Sequence, residues 1–330
     1  MKSILGIGNA LTDVLAVLPD DEILKKYKLP PGSMQQVDAE TGNKIWNDLK
    51  DRGIKYVAGG SAANTISTAA ILGMPAGFIG KVGKDDIGSL FKSDQVQEGI
   101  RSRLYRGKAP SGRSIVIIDE RTSGRTFATY LGAALELCEA DLDPADFDGY
   151  DYLHIEGYLV QNQELLRRIV EIGREKNMTI SLDLASYNVV ESNVAFLNDI
   201  VENYVDIVFA NEAEAEAFTG KKERGALTEI ARKCTVAVVK EGKEGSMVQC
   251  GDEFHFIEAA PGEPRDGTGA GDIYAAGFLY AHALGQPLEI CGQVGSIIAA
   301  KVIECIGSKI DIPRWKVAKA EIRQLIGENR

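Results

Sequence analysis

Apolar runs of strand length alternate with segments whose apolar residues recur at helical spacing along most of the chain. Strands are predicted at 4–8, 77–79, 152–155, 179–182, 207–210 and 236–239, and helices between them at 61–72, 162–175 and 229–233. Toward the end, 270–284 and 288–306 read as two long, mostly apolar helices, with a more polar one at 315–326. This alternation predicts an α/β protein with a mainly parallel sheet covered by helices on both faces. Two stretches, about 14–57 and 102–131, break the rhythm. The first carries Pro30-Pro31-Gly32, and the second alternates at 114–119 and 125–130 around the turn Thr122-Ser123-Gly124. Both are predicted to be antiparallel or irregular, forming a small sheet that projects from one main domain and covers a site.

Composition narrows what such a fold could do. With 45% apolar and 26% charged residues over 330 positions, the chain can bury a large core. A net charge of −11 argues against duplex nucleic acid or an anionic membrane as partner, since both select basic surfaces. The longest apolar runs are strand-sized, and Met1-Lys2-Ser3-Ile4 enters a strand pattern at once, so a cytoplasmic location is expected. Cys138, Cys234, Cys250, Cys291 and Cys305 show no metal-like spacing and are expected as buried thiols. His154, His255 and His282 are isolated, which leaves a histidine metal site or a Ser-His-Asp triad unsupported.

The chemistry concentrates in Asp266-Gly267-Thr268-Gly269-Ala270-Gly271-Asp272, which runs directly into a helical pattern. Glycines at a helix start let a ligand approach the backbone, and the amides of Gly269, Ala270 and Gly271 would attract negative charge there. Phosphoryl transfer needs such an anion hole and a group that accepts the proton of the attacking hydroxyl. Asp272, in the first helical turn, is placed to be that base. The bland alternative is an Asp that stabilises a helix start.

Together with Ala58-Gly59-Gly60-Ser61-Ala62-Ala63-Asn64-Thr65, this run resembles the two signatures of the PfkB carbohydrate kinases, in matching order and spacing. That family includes ribokinase, fructokinase and adenosine kinase, and the likeness extends from Gly8 to about Lys309. The resemblance implies a ribokinase-like three-layer sandwich with a small β-sheet lid, ATP as donor, Mg²⁺ as cofactor and, in some members, a monovalent cation such as K⁺. It assigns Asp272 as base and Gly269, Ala270 and Gly271 as anion hole. Asp13, Gly59, Gly60 and Asn64 match positions that hold the acceptor's hydroxyls, although Ser61 could simply cap the next helix. Asn211 and Glu214 match a motif that arranges Mg²⁺ through water, and they also spell a capping box. Gly242 matches the nucleotide-binding turn, with a departure from the family's small hydroxyl residue near Lys240 or Glu241. Thr268 begins the loop before the anion hole. Arg125, in the lid, matches a position that swings toward the phosphates, with a solvated arginine as the alternative.

The layout Gly8-Asn9-Ala10-Leu11-Thr12-Asp13, the long stretch before Gly59 and Glu156-Gly157-Tyr158-Leu159 look most like the adenosine kinase branch. Tyr158 would then pack on a purine, with plain core packing as the alternative. The polar Met34-Gln35-Gln36 keeps a free sugar such as ribose or fructose as the second reading. Other classes fit less well: Gly6-Ile7-Gly8 lacks the third glycine of a dinucleotide fingerprint, and no Gly-Lys-Ser/Thr P-loop tripeptide occurs. A non-catalytic nucleoside or sugar sensor would be expected to lose Asp272 or its glycines. The partner is thus a small molecule, and the protein itself a monomer or homodimer.

Overall fold

The computed structural model describes residues 1–120 and 124–327, so Thr122 and Ser123 of the predicted turn lie outside the described residues. The chain opens with β1 (Ile4–Ile7), then leaves through β2 (Leu11–Leu18), α1 (Glu22–Lys26), β3 (Met34–Gln36), α2 (Ala39–Leu49) and β4 (Lys55–Gly59). It returns by α3 (Ser61–Leu72) to β5 (Ala76–Val82), α4 (Asp86–Gln97) and β6 (Arg101–Arg106), and leaves again for β7 (Gly112–Asp119) and β8 (Arg125–Tyr130). Next come β9 (Tyr152–Glu156), α5 (Gln163–Glu175), β10 (Thr179–Asp183), α6 (Tyr187–Glu191), α7 (Val194–Tyr204) and β11 (Ile207–Asn211). The chain continues with α8 (Glu212–Thr219), α9 (Glu223–Ala231), β12 (Val236–Lys240), β13 (Ser246–Cys250) and β14 (Glu253–Ile257). Three helices close it: α10 (Ala270–Ala283), α11 (Leu288–Val302) and α12 (Ile312–Leu325).

The large sheet runs β14-β13-β12-β11-β10-β9-β1-β5-β6, parallel from β12 to β6, with an antiparallel edge at β13 and β14. Alternate residues of its strands serve different layers. Ile4, Ile207, Phe209, Val236 and Val238 join the core under α3, α10, α11 and α12. Their neighbours Leu5, Val208, Ala210, Ala237 and Val239 pack beneath α5, α7, α8 and α9. A strand buried on both faces reads as a continuous apolar run, which is why these strands were visible in the sequence.

Four expectations need correction. The stretch 102–131 does not belong wholly to the small sheet, because β6 pairs parallel with β5 at the edge of the large one. As an edge strand with exposed Arg101, Arg103 and Arg106, it carries a polar alternation that mimics a separate sheet. The small sheet, in order β3-β8-β7-β2-β4, is mixed and not antiparallel, since β2–β7 and β3–β8 are parallel pairs. It also begins earlier than 14, at Leu11. Finally, the helix placed at 229–233 spans Glu223–Ala231, its first half masked by charged residues. The small sheet has its own core, in which Val14, Ala16, Leu18, Ile115, Ile117 and Ala128 pack with Ile45 and Leu49 of α2.

Candidate active site

The carboxyl ends of four adjacent parallel strands end on polar residues: Glu156, Asp183, Asn211 and Lys240. Asp183 stands beside Glu156, and Asn211 beside Lys240, in the sheet register. Beyond this edge lies β1, from which the chain runs to β5 and β6 on one side while β9 to β12 extend the other. Such a switch point at the carboxyl edge is where open α/β sheets bind ligands.

Asp272 arrives here on the first turn of α10, whose N-cap Gly269 has φ 75°. Its two carboxylate oxygens are held from α3: Ser61 Oγ donates to Oδ1 at 2.7 Å and Asn64 Nδ2 to Oδ2 at 2.9 Å. Ser61 therefore does not cap its helix; the N-cap is Gly60. Thr65 adds a bond from Oγ1 to the Asp272 carbonyl at 3.1 Å, so α3 and α10 are stitched tip to tip. Burial pushes the Asp272 carboxyl up to about 6, and the nearby Asp183 charge adds to the shift. A carboxylate raised this far is a competent base near neutral pH.

Among the three amides expected at the anion hole, that of Ala270 donates to Gly267 O at 3.2 Å. The amides of Gly271 and Asp272 fall at the second and third helical positions, where no intrahelical acceptor exists. The Gly271 backbone faces Lys240: a Cβ built there would stand 2.9 Å from Lys240 Nζ.

Asp13, on β2, lies on the face of the small sheet opposite Val14 and its core. Gly59 on β4 is required by that carboxylate, since a Cβ at Gly59 would meet Asp13 Oδ2 at 2.5 Å. Gly60 has φ 97°, and a Cβ there would strike the Asn9 carbonyl. Desolvation pushes Asp13 up to about 7, with Asp272 adding and Lys309 and Arg125 opposing. Those cross-influences place Asp13 and Asp272 in one electrostatic neighbourhood. Asn64 is shared: it donates to Asp272, and its Oδ1 accepts from Ser308 Oγ at 2.9 Å.

On the far side of the edge, Asn211 and Glu214 form the capping box that their spacing predicts, with the Asn211 side chain accepting from Glu214 N at 2.9 Å. Both Glu214 oxygens take hydrogen bonds from Asn211, at 2.6 and 2.8 Å, and burial pushes its carboxyl up to about 7. Gly242, at φ 55°, opens the turn after β12, and open space surrounds it. Tyr158 is half-buried in the turn after β9, where its hydroxyl donates to Ala185 O at 3.4 Å. Desolvation raises its phenol above the usual range, with Glu156, Glu214 and Asp272 all contributing.

Arg125 is not a solvated arginine. Its guanidinium pairs with Asp266 at 2.6 Å and donates to Thr268 Oγ1 at 3.3 Å, tying β8 of the small sheet to the loop before α10. Asp266 is saturated, because Gly307 N also donates to Oδ2, and Thr268 N and Oγ1 donate to Oδ1.

Two site residues escaped the sequence reading. Glu156 Oε1 accepts from Asn9 N and Nδ2 at 2.9 and 2.5 Å, and Oε2 accepts from Ala62 N at 3.1 Å. It thus clamps the strand leading to Asp13 against the start of α3. Asp183 pairs with Lys240 at 2.8 Å; burial favours its neutral form, but Lys240 outweighs that and holds the carboxyl below its usual range. Both carboxylates end apolar strands, and only the polar terminal letter marks them in sequence.

With a carboxylate at a helix tip beside Asn64 at the edge of a parallel sheet, the fold is that of a phosphotransferase acting on an alcohol. The chain belongs to the pfkB family of carbohydrate kinases, whose pattern matches residues 37–315. It resembles the crystal structure of adenosine kinase from Sinorhizobium meliloti, at 31% identity and TM-score 0.86 over 97% of this chain and 99% of that one. A probable sugar kinase from Rhizobium etli superposes with TM-score 0.87 at 30% identity, covering 97% and 98%. Adenosine kinase of Schizophyllum commune is 28% identical over 343 residues, 94% of this chain and 97% of that protein. The protein is an ATP-dependent kinase of a nucleoside or sugar. No helix among the described residues is long and apolar enough to cross a membrane.

Proposed function

We propose that the protein transfers the γ-phosphoryl group of ATP to the primary hydroxyl of a ribonucleoside, adenosine foremost, with Asp272 as general base. The observation that carries this reading is the placement of Asp272: half-buried, raised to about 6, and held by Ser61 and Asn64 at an open helix tip. The acceptor's vicinal hydroxyls bind Asp13 and Asn64 beside Gly59 and Gly60, and Tyr158 faces the base. A nucleoside is favoured over a free sugar by the small sheet's outer face. There Leu15 on β2, on the same face as Asp13, is half-buried, and it is backed by the buried Val116 and Ile118 of β7. An apolar wall of this kind suits a planar base and gives a free sugar nothing to pack against.

In this mechanism the small sheet is the lid of a single domain, and it excludes water while the acceptor oxygen attacks the γ-phosphorus. The oxygen–phosphorus bond forms, the bond to the β–γ bridging oxygen breaks, ADP leaves with that electron pair, and Asp272 takes the hydroxyl proton. The amides at the start of α10 stabilise the negative charge of the group in transit. Arg125 and Thr268 border the phosphates from the lid side, and Gly242 lies against the nucleotide. Among the described residues no three acidic, histidine or cysteine side chains converge as a metal cage. That suits Mg²⁺ bound mainly by phosphates and water, with Asn211 and Glu214 reaching it through that water. When bound, Mg²⁺ would neutralise phosphate charge.

The decisive assay is acceptor-dependent ADP release across adenosine, other nucleosides, ribose and fructose. Adenosine is expected to give the highest kcat/KM; a free sugar exceeding every nucleoside would overturn the assignment.

A further inference from the structure

Lys240 has no part in the mechanism above, yet its ammonium lies at the centre of the site. It ends β12, pairs with Asp183 at 2.8 Å, and has a side chain only 15% exposed. It abuts the Gly271 backbone, where a Cβ would stand 2.9 Å from Nζ. Asp183 touches it directly, and the negative charges of Glu214 and Asp272 add to that pairing, so that together the three acids favour its charged form against burial. Three acids around one ammonium leave the site with a deficit of positive charge before a triphosphate arrives. Every additional negative charge then has to be met by donors already in place. The helix tip supplies partial charges, whereas Lys240 supplies a full one on a stem of four carbons.

We propose that Lys240 is a further catalytic residue: its ammonium leaves Asp183 to contact the γ-phosphoryl group at the Gly271 amide and stabilises that group's charge during transfer. This deepens the kinase reading and rests on it. Lys240 keeps its proton throughout; the bonds made and broken are those between phosphorus and the acceptor and bridging oxygens, and the hydroxyl proton still goes to Asp272. The alternative is that Lys240 only neutralises Asp183, which a buried carboxylate at 7% side-chain exposure requires in any case.

A double-mutant cycle separates the two roles. Lys240→Met is expected to lower kcat by about 10²–10³-fold, the usual loss when a preorganised charge-stabilising donor is removed. Adding the same change to an Asp183→Asn background, where no carboxylate needs a counterion, is expected to cost a similar factor. Thermal melting of each variant reports folding separately. An added effect under about threefold in the Asp183→Asn background, well short of the loss expected for a donor to the transferring group, overturns the proposal. If Asp183→Asn alone abolishes turnover, calorimetric binding decides instead: Lys240→Met should weaken ATP binding more than ADP binding, and an equal effect on both overturns it. Failure of the kinase reading looks different, because the wild-type protein would then release no acceptor-dependent ADP at all.

Discussion

Ser61 and Asp272, 211 residues apart in sequence, share a hydrogen bond of 2.7 Å that joins the tips of two helices. The serine hydroxyl donates, so it stabilises the ionised carboxylate and opposes the desolvation that raises its pKa. Removing the donor must raise the pKa further. Ser61→Ala should therefore move the acid limb of kcat/KM upward from near pH 6 by about one unit, the equivalent of about 1.4 kcal/mol and within the range of a hydrogen bond to a charged group. Ser61→Thr keeps the hydroxyl and should leave the limb in place. A limb that stays put in the alanine variant would separate Ser61 from the base.

Asp272→Asn keeps both hydrogen-bonding neighbours while removing the proton acceptor. Turnover should fall by about 10²–10⁴-fold, the range general bases contribute. ATP binding, measured by calorimetry, should change little, because in the proposed mechanism Asp272 meets the acceptor and not the nucleotide. Retention of more than about a tenth of the activity would remove the base assignment.

Four site carboxyls, Asp13, Glu156, Glu214 and Asp272, are raised to about 7, 7, 7 and 6, chiefly by burial. Their folded-state values exceed the unfolded ones, so between about pH 4 and 7 the folded state binds more protons and stability declines as pH rises. The ligand-free protein should melt at a higher temperature at pH 5 than at pH 7.5. In Asp13→Asn/Asp272→Asn the slope should flatten, since two of the four groups no longer titrate. A melting temperature that climbs through this window would contradict the upward shift of these four carboxyls.

The base and its helix tip were legible because they are local: glycines, an acid and a helical apolar pattern within a few residues. The large sheet was legible because strands buried on both faces are unbroken apolar runs. Glu156 was not, since its partners Asn9 and Ala62 lie 147 and 94 residues away and only the fold brings them to one carboxylate. Lys240 looked like a departure in a nucleotide turn until its pairing with Asp183 was seen. The β6 edge strand misled for the opposite reason: one solvated face gave it the polar alternation of a small separate sheet.

Glu156 is open to a direct test. Glu156→Ala strands three donors, the Asn9 amide and side chain and the Ala62 amide, and should destabilise the protein by about 3 kcal/mol or more, given about 1–3 kcal/mol per buried unpaired group. Glu156→Gln can keep the two Asn9 bonds through its carbonyl but sets an amide donor against Ala62 N–H, and should cost less. Urea unfolding measures both. In the glutamine variant the acceptor KM should still rise, because Asn9 leads into Asp13 and Ala62 begins the turn carrying Asn64.

The pair Arg125–Asp266 ties the small sheet to the loop before α10, and its side chains are 8% and 4% exposed. Lifting the small sheet away from that loop, as the proposed lid motion requires, must break it. Cutting one partner of a buried pair typically costs about 3–5 kcal/mol, because the survivor remains desolvated. Here the closed arrangement alone bears that cost, since Asp266 regains water once the small sheet lifts away. Arg125→Ala should therefore favour the open form. Amide hydrogen exchange in β7 and β8 should accelerate relative to β9–β12, and KM for both substrates should rise. Arg125→Lys should fall between, because an ammonium can meet Asp266 but cannot span to Thr268 Oγ1 with the same planar fork. Equal exchange rates in wild type and Arg125→Ala would show that the pair does not hold the lid.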